Sequence, residues 1–313
     1  MKLSLVVPCY NEEKNVEEFF SCCQNAFKDK IKDYEIIFIN DGSADDTWSK
    51  LKLLASDNKS VKCINFSRNF GKEAAMYAGL QHAKGDYVSI VDADLQQRPE
   101  IVLEMVEFLD NNADYDCVAA YQEKRIENKL LGFVKNMFYK IINKVSDTTF
   151  MSGVSDFRTF RQGVVESILQ VKEYYRFSKG IFSWVGYNVH YIPYVAEERA
   201  AGTTSWSVKK LFKYALEGII AFTTFPLKLS SIVGVITAIA AFIYMIAVII
   251  EKLFFGIDSS GYATITTLIL FLGGIQLIAL GILGEYVSKI YIQGKNRPIY
   301  IVKEKLNTDK KED

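Results

Sequence analysis

With 313 residues the chain has room for one large or two ordinary domains. Its 37 lysines and arginines balance 37 aspartates and glutamates, which argues against a dedicated nucleic-acid binder, a role that favours an excess of positive charge. Half of the residues are hydrophobic, but unevenly placed: the first 220 read as a soluble α/β protein and the rest changes character.

Leu3 to Val7 is a short apolar strand, too short for the apolar core of a signal peptide. Pro8-Cys9-Tyr10-Asn11-Glu12-Glu13 turns from it into a helix expected to start near Asn11, a residue suited to an N-cap with acidic residues in the first turn. Glu35 to Asn40 is a second strand, broken by Asp41-Gly42-Ser43 before a helical stretch from Thr47. Val61 to Phe66 is a third, and Ser67 to Lys72 makes a polar turn into a helix over Glu73 to His82. A fourth strand, Tyr87 to Val91, precedes a helix over Ile101 to Asn111 that follows Pro99. Strands alternating with helices predict an α/β fold with a parallel, doubly wound sheet.

In such a sheet ligands bind at the carboxyl ends of strands. The fourth strand ends in Asp92-Ala93-Asp94, and alternation turns the two carboxylates to the same side. That pair suits a hard divalent cation shared with a diphosphate, with Gln96 supplying a neutral oxygen or holding a metal-bound water. Asp41 either accepts from a base N–H or caps the next helix, and Arg68 with Lys72 either neutralises phosphate or is a solvated pair. No GxGxxG follows the first strand and no GxxxxGK[ST] occurs, so dinucleotide and P-loop chemistry are disfavoured.

Cys117 to Tyr121 is a further strand, leading to Gln122-Glu123-Lys124-Arg125. Residues 129–145 alternate apolar side chains with lysines at helical spacing, which fits either an anionic membrane surface or a helix packed on the domain. Gly153 to Arg158 is turn-prone; there Asp156 either acts on the substrate, as a base or on a sugar hydroxyl, or pairs with Arg158. Residues 209–226 form a second amphipathic stretch before the apolar region. The five cysteines (Cys9, Cys22, Cys23, Cys63, Cys117) are odd in number and form no CxxC, so they read as core residues of a reducing compartment rather than disulfides or zinc ligands. His82 and His190 are far apart and read as structural.

Leu229 to Ile250 and Gly261 to Gly284 carry no formal charge over 22 and 24 residues. Each is long enough to cross a hydrocarbon core of about 30 Å at ~1.5 Å per residue. Two transmembrane helices are therefore expected within 227–287. The connecting loop has one basic residue, whereas Lys209, Lys210, Lys213 and Lys228 flank one side and Lys289, Lys295, Arg297, Lys303 and Lys305 the other. The positive-inside rule then puts both flanks, and the domain over 1–208, in the cytosol. The charged end of the tail over 288–313, from Lys303, reads as disordered. Gly273-Gly274 and Gly281 to Gly284 would permit close packing of helices, in this chain or between copies.

VPCYNEE (Val7 to Glu13), NDGSADDT (Asn40 to Thr47), FSRNFGKEAA (Phe66 to Ala75) and VDADLQQRPE (Val91 to Glu100) occur in that order and together resemble glycosyltransferase family two, whose fold, called GT-A, is Rossmann-like with a mostly parallel sheet. GVSDFRTFR (Gly153 to Arg161), ERAAGTTSW (Glu198 to Trp206) and the two C-terminal spans resemble its polyprenyl-phosphate glycosyltransferases, the group of bactoprenol glucosyltransferase and dolichol-phosphate mannose synthase. The resemblance covers nearly the whole chain. It implies that Pro8, Tyr10, Glu12 and Asp41 line a nucleotide pocket, together with Arg68 and Lys72, and that Asp92, Asp94 and Gln96 hold Mg²⁺ or Mn²⁺ on the diphosphate. By the same resemblance Arg125 and Arg199 hold an acceptor phosphate and Asp156 faces the sugar or acts as base. It also implies a nucleotide-sugar donor, a polyprenyl phosphate acceptor and a multi-pass protein of the cell membrane. Two departures stand out. Relatives often read DLQDPPE where this chain has Gln97-Arg98-Pro99, and many read GESKY where it has Gly202-Thr203-Thr204-Ser205-Trp206. A processive polysaccharide synthase would carry more spans and a QxxRW-like segment, and an inert scaffold would have no use for Asp92, Asp94 and Asp156.

Overall fold

The structure, a computed structural model, describes residues 2–28, 30–122, 143, 153–195, 223–255 and 261–308. Arg125, Arg199, the Gly202 to Trp206 departure and nearly all of the two basic amphipathic stretches lie outside them.

The first half alternates as expected: β1 (Lys2–Cys9), α1 (Val16–Phe27), β2 (Asp33–Asn40), α2 (Thr47–Asp57), β3 (Val61–Phe66), α3 (Lys72–His82), β4 (Tyr87–Ile90) and α4 (Pro99–Asn111). Then come β5 (Cys117–Gln122), β6 (Val154–Arg161), α5 (Gln162–Gln170), α6 (Ser178–Trp184), β7 (Val189–Tyr194), α7 (Phe225–Phe255), α8 (Tyr262–Gly294) and β8 (Val302–Leu306). One eight-stranded sheet runs in the order β7-β5-β6-β4-β1-β2-β3-β8. The strands β4-β1-β2-β3 are mutually parallel, and β5 is parallel to β7.

The continuous apolar runs of β1 and β2 follow from burial on both faces. Ile36 and Phe38 join the core under α1 and α4 with Phe19, Phe27 and Val102, while Ile37 and Ile39 join the opposite core with Ala75, Ala78 and Phe160. Each fully buried side chain of this size contributes about 1.5–3 kcal/mol by leaving water. Helix α3 lies so close to the sheet that a Cβ on Gly79 would stand 2.2 Å from Val6 Cγ1 and 2.8 Å from Ile39 Cδ1. Cys9, Cys23, Cys63 and Cys117 are buried and all five cysteines are free. His190 stacks on Phe108 at 3.9 Å and His82 Nδ1 lies 2.8 Å from the Ala78 carbonyl oxygen, so both histidines do structural work.

Three expectations change. Helix α1 starts at Val16, not near Asn11. Asn11 sits instead at φ 57°, and its side chain accepts the Ala44 N–H at 2.9 Å, tying the loop after β1 to the loop after β2. Gly153 to Arg158 is no turn: after Gly153, at φ 85°, the chain runs straight into β6. The sheet is mostly parallel, as the GT-A resemblance implies: only β6, between β4 and β5, and β8, beside β3, run antiparallel to their neighbours. Finally, the tail is ordered through β8 despite its charges. Its lysines alternate outward, Glu304 accepts from Trp48 Nε1 at 3.2 Å and pairs with Lys52 at 3.3 Å, and Asn307 donates to the Ala55 and Val61 carbonyls. It also covers the exposed edge of β3, which would otherwise present unpaired backbone groups.

Helices α7 and α8 contain windows of mean hydropathy 2.7 and 2.2 in which no residue is buried. Ile232, Val235, Ile236, Phe271, Leu277 and Ile278 are all more than half exposed. A soluble core helix would bury that surface.

Candidate active site

Beyond the carboxyl ends of β1, β2 and β4 opens a cleft of about 280 Å³, lined by Pro8, Cys9, Tyr10, Glu12, Asp41, Asn69, Gly71, Lys72, Ala75, Asp92, Ala93 and Asp94. It draws together motifs that are up to 86 residues apart, because parallel strands end on the same side.

Asp41 caps a loop, though not that of the helix following it. Its two carboxylate oxygens accept the Phe70 and Gly71 N–H groups at 2.6 and 2.9 Å, just ahead of α3. Burial outweighs those bonds and the Arg68 charge, and raises its pKa above the ordinary aspartate value. Gly42 has φ +65°, and a Cβ there would stand 2.4 Å from the Arg68 carbonyl carbon, so only glycine lets the two loops meet. Arg68 itself lays its guanidinium over Phe70 at 4.0 Å and donates to the Asn69 carbonyl, outside the lining of the cleft.

Lys72, the first residue of α3, is the electrostatic centre. Its ammonium lies 2.5 Å from Asp92 Oδ1 and 3.5 Å from Asp156 Oδ2. Burial by itself would lower the lysine pKa, but the two carboxylates raise it well above the usual value. For Asp156, burial acts upward, yet Lys72, Lys179 and Arg158 hold its pKa below the usual carboxylate range. The ion pair of Asp156 therefore runs to Lys72. Arg158 instead donates to the Ser155 carbonyl at 3.1 Å and lies over Phe182 at 4.5 Å.

Gln97 steadies Asp92. The Gln97 side-chain carbonyl accepts the Asp92 N–H at 2.9 Å and its amide donates to Asp92 Oδ2 at 3.3 Å. The Gln96 backbone N–H donates to Asp94 Oδ1 at 3.2 Å, and Gln96 is not among the residues lining the cleft. Leu95, at φ 60°, makes the tight turn between them. The sequence singled out Gln97 only as a departure from relatives; Asn69 and Gly71 lay unremarked inside the FSRNFGKEAA segment.

The donor set fits a cation brought with a ligand. Asp92 and Asp94 open on the cleft, and among the described residues no cluster of three or more His, Cys, Asp or Glu could cage a metal alone. Two carboxylates leave the remaining positions to phosphate oxygens and water, the usual arrangement for Mg²⁺.

A model of glycosyl transferase family 2 matches residues 4–169, and a model of the GtrB C-terminal hairpin matches residues 225–290. The chain is similar to the SfII prophage-derived bactoprenol glucosyl transferase of Shigella flexneri, 42% identical over 97% of this chain and 98% of that protein. It is equally similar to the prophage bactoprenol glucosyl transferase homolog of Escherichia coli strain K12, 42% identical over 97% and 99%. Among solved structures, glucosyl-3-phosphoglycerate synthase from Mycobacterium tuberculosis, crystallised with Mn²⁺, UDP-glucose and phosphoglyceric acid, matches 70% of this chain and 77% of that one, at 18% identity and a TM-score of 0.47. The architecture is of the GT-A type that the motifs implied. Since the family model spans more than half of the chain and relatives align along nearly all of it, the chain belongs to glycosyltransferase family 2.

Proposed function

We propose that this protein transfers a hexose, glucose or N-acetylglucosamine, from its UDP-sugar to a polyprenyl phosphate, undecaprenyl phosphate in a bacterium, with inversion at the anomeric carbon. The observation that carries the reading is the opening of Asp92 and Asp94 onto the same cleft as Pro8, Tyr10, Glu12 and Asp41, in a chain that also bears two unburied apolar helices. The relatives named bactoprenol glucosyl transferases favour glucose and a lipid carrier.

In this reading the uridine lies against Pro8, Tyr10 and Asp41, and Asp92 and Asp94 would hold Mg²⁺ or Mn²⁺, with Gln96 assigned to the same cation by family resemblance. The cation supplies charge stabilisation for the leaving UDP. Lys72 pairs with Asp92 and Asp156 and keeps Asp156 ionised, with Arg68 adding positive charge at the rim. An oxygen of the lipid phosphate attacks C1 of the sugar, forming the new C1–O bond as the C1–O bond to UDP breaks. Because a phosphate monoester with a second pKa of about 6 is already ionised at neutral pH, no strong base is needed. The depressed pKa of Asp156 agrees with this: it is a poor proton acceptor and a good fixed anion for positioning sugar hydroxyls. Arg125 and Arg199 are assigned to the acceptor phosphate by family resemblance.

The helices α7 and α8 cross the cell membrane, the catalytic domain faces the cytosol, and the basic stretches around 129–145 and 209–226 rest on anionic lipid. Gly273, Gly274, Gly281 and Gly284 have open space beside them and leave a face on which a second copy could pack.

The test is transfer of label from a panel of nucleotide sugars, with undecaprenyl phosphate and Mg²⁺ or Mn²⁺, into the organic phase by the full chain in lipid. Wild type should give a lipid-linked monosaccharide of inverted configuration, and Asp94→Asn should lose at least about 100-fold in rate. A polymer as product, a retained anomeric configuration, or undiminished transfer by Asp94→Asn would overturn the corresponding part of the reading.

A further inference from the structure

Helix α3 does more than present Lys72. Glu73, Tyr77 and Gln81, spaced by four, form one stripe along it, on a helix buried nearly all round from Ala74 to Leu80. Every residue of that stripe meets a segment next to α8. The Glu73 carboxylate accepts both the N–H of Ser178, at 3.0 Å, and its hydroxyl. The Tyr77 ring lies under the Arg176 guanidinium at 4.3 Å, and Gln81 accepts from the Tyr300 hydroxyl at 2.7 Å.

The segment leading to Ser178 in turn grips the end of α8. The Tyr174 N–H donates to Gln293 Oε1 at 2.8 Å, and Gln293 Nε2 donates to the Lys172 carbonyl at 3.0 Å. Lys289, one turn earlier on α8, stands over the Tyr175 ring at 5.8 Å. Arg176 closes the segment on itself by donating to the Val171 carbonyl at 2.5 Å. A continuous set of contacts thus leads from α8 through residues 172–178 to Glu73, and the next residue along α3 is Lys72, held by Asp92 and Asp156.

We propose that Glu73 is a positioning residue: by docking Ser178, and through it the clasp on Gln293, it fixes the catalytic cleft to the end of the second apolar helix and so sets the height at which the cleft meets the lipid-borne phosphate. The part concerning the acceptor rests on the function proposed above; the docking itself does not. A donor arriving from solution needs no such registration, whereas an acceptor phosphate held at a fixed depth in a bilayer does. Glu73 is then expected to govern use of the lipid substrate rather than of the nucleotide sugar.

The experiment takes the full chain in lipid nanodiscs as wild type, Glu73→Ala, Glu73→Gln, Gln293→Ala and the Glu73→Ala/Gln293→Ala double variant. Amide hydrogen exchange should quicken by about tenfold or more across residues 172–178 and 289–294 in Glu73→Ala, with β1 and β4 unchanged. KM for undecaprenyl phosphate should rise about fivefold or more while KM for the nucleotide sugar stays within about twofold. Glu73→Gln, which still accepts both Ser178 bonds, should recover most of the loss. Gln293→Ala should reproduce the acceptor effect, and the double variant should be no worse than the worse single one, as for two groups in one chain of contacts. Unchanged exchange over 172–178 overturns the docking. Parallel rises in both KM values, a uniform fall in kcat, or additive losses overturn the positioning role. Should wild type transfer no sugar at all, the proposed function fails, and the exchange comparison still decides the docking.

Discussion

Gln97 holds Asp92 at two points, accepting its backbone N–H and donating to its carboxylate, so one neutral side chain fixes both the position and the rotamer of the acid. The buried Gln97 does this from the turn that also carries Asp94. Gln97→Ala leaves the Asp92 N–H without that acceptor and lets the carboxylate swing toward Lys72. Binding of the divalent cation together with UDP, measured by titration calorimetry, should weaken about tenfold, the worth of one buried hydrogen bond of about 1.4 kcal/mol, with the melting temperature little changed.

Lys72 separates two carboxylates that would otherwise repel one another. In Lys72→Met the main charge depressing the Asp156 pKa is gone, while the burial that raises it remains. The acid limb of the rate–pH profile should therefore move to higher pH, and transfer should fall about 10²- to 10³-fold at neutral pH. An acid limb that stayed where it was would show that Asp156 does not control it.

Glu35 gives a stability test away from the cleft. Near the amino ends of the strands it accepts from Ser4 Oγ at 2.5 Å, from the Lys84 N–H at 2.9 Å and from Lys62 at 2.6 Å. Burial pushes its pKa upward, but these partners win and lower it. The resulting stabilisation is present above the unfolded value near 4.5 and disappears as pH falls through the folded one. Glu35→Ala strands the buried Lys62 ammonium and should cost about 3–5 kcal/mol in denaturant unfolding, with transfer per folded molecule intact.

Glu73 behaves in the opposite sense. Burial, and next the charge of Asp156, push its pKa up to about 7 from 4.5, against the Ser178 hydrogen bonds. Between those values the folded chain keeps a proton that the unfolded chain has released, so this group's contribution to stability declines as pH rises. The melting temperature of Glu73→Gln minus that of wild type should grow by a few degrees from pH 5 to pH 8. A difference independent of pH would remove the buried, proton-holding state of Glu73.

Local patterns in the sequence were enough for the strands β1 to β4, the helices after them, the Asp92–Asp94 pair and the two long apolar helices. In each, the physical signal is contiguous: a run buried on both faces, a proline at a helix start, or an uncharged stretch of bilayer length. The failures share one cause. Gly153 to Arg158 looks like a turn because its strand character depends on lying between β4 and β5, and Val302–Leu306 looks like a charged tail because its order depends on the β3 edge.

The sequence by itself determined the alternating α/β plan, the acidic motif and the membrane-length helices, since each is written in neighbouring residues and their periodicity. Only the tertiary structure decided that Lys72 answers Asp92 and Asp156, that Gln97 steadies the first acid, that Asp41 serves the loop before α3, and that Glu73 reaches Ser178. Those are pairings across 20 to 105 residues in three of these cases, and their partners are selected by how the strands and helices pack rather than by anything spaced along the chain.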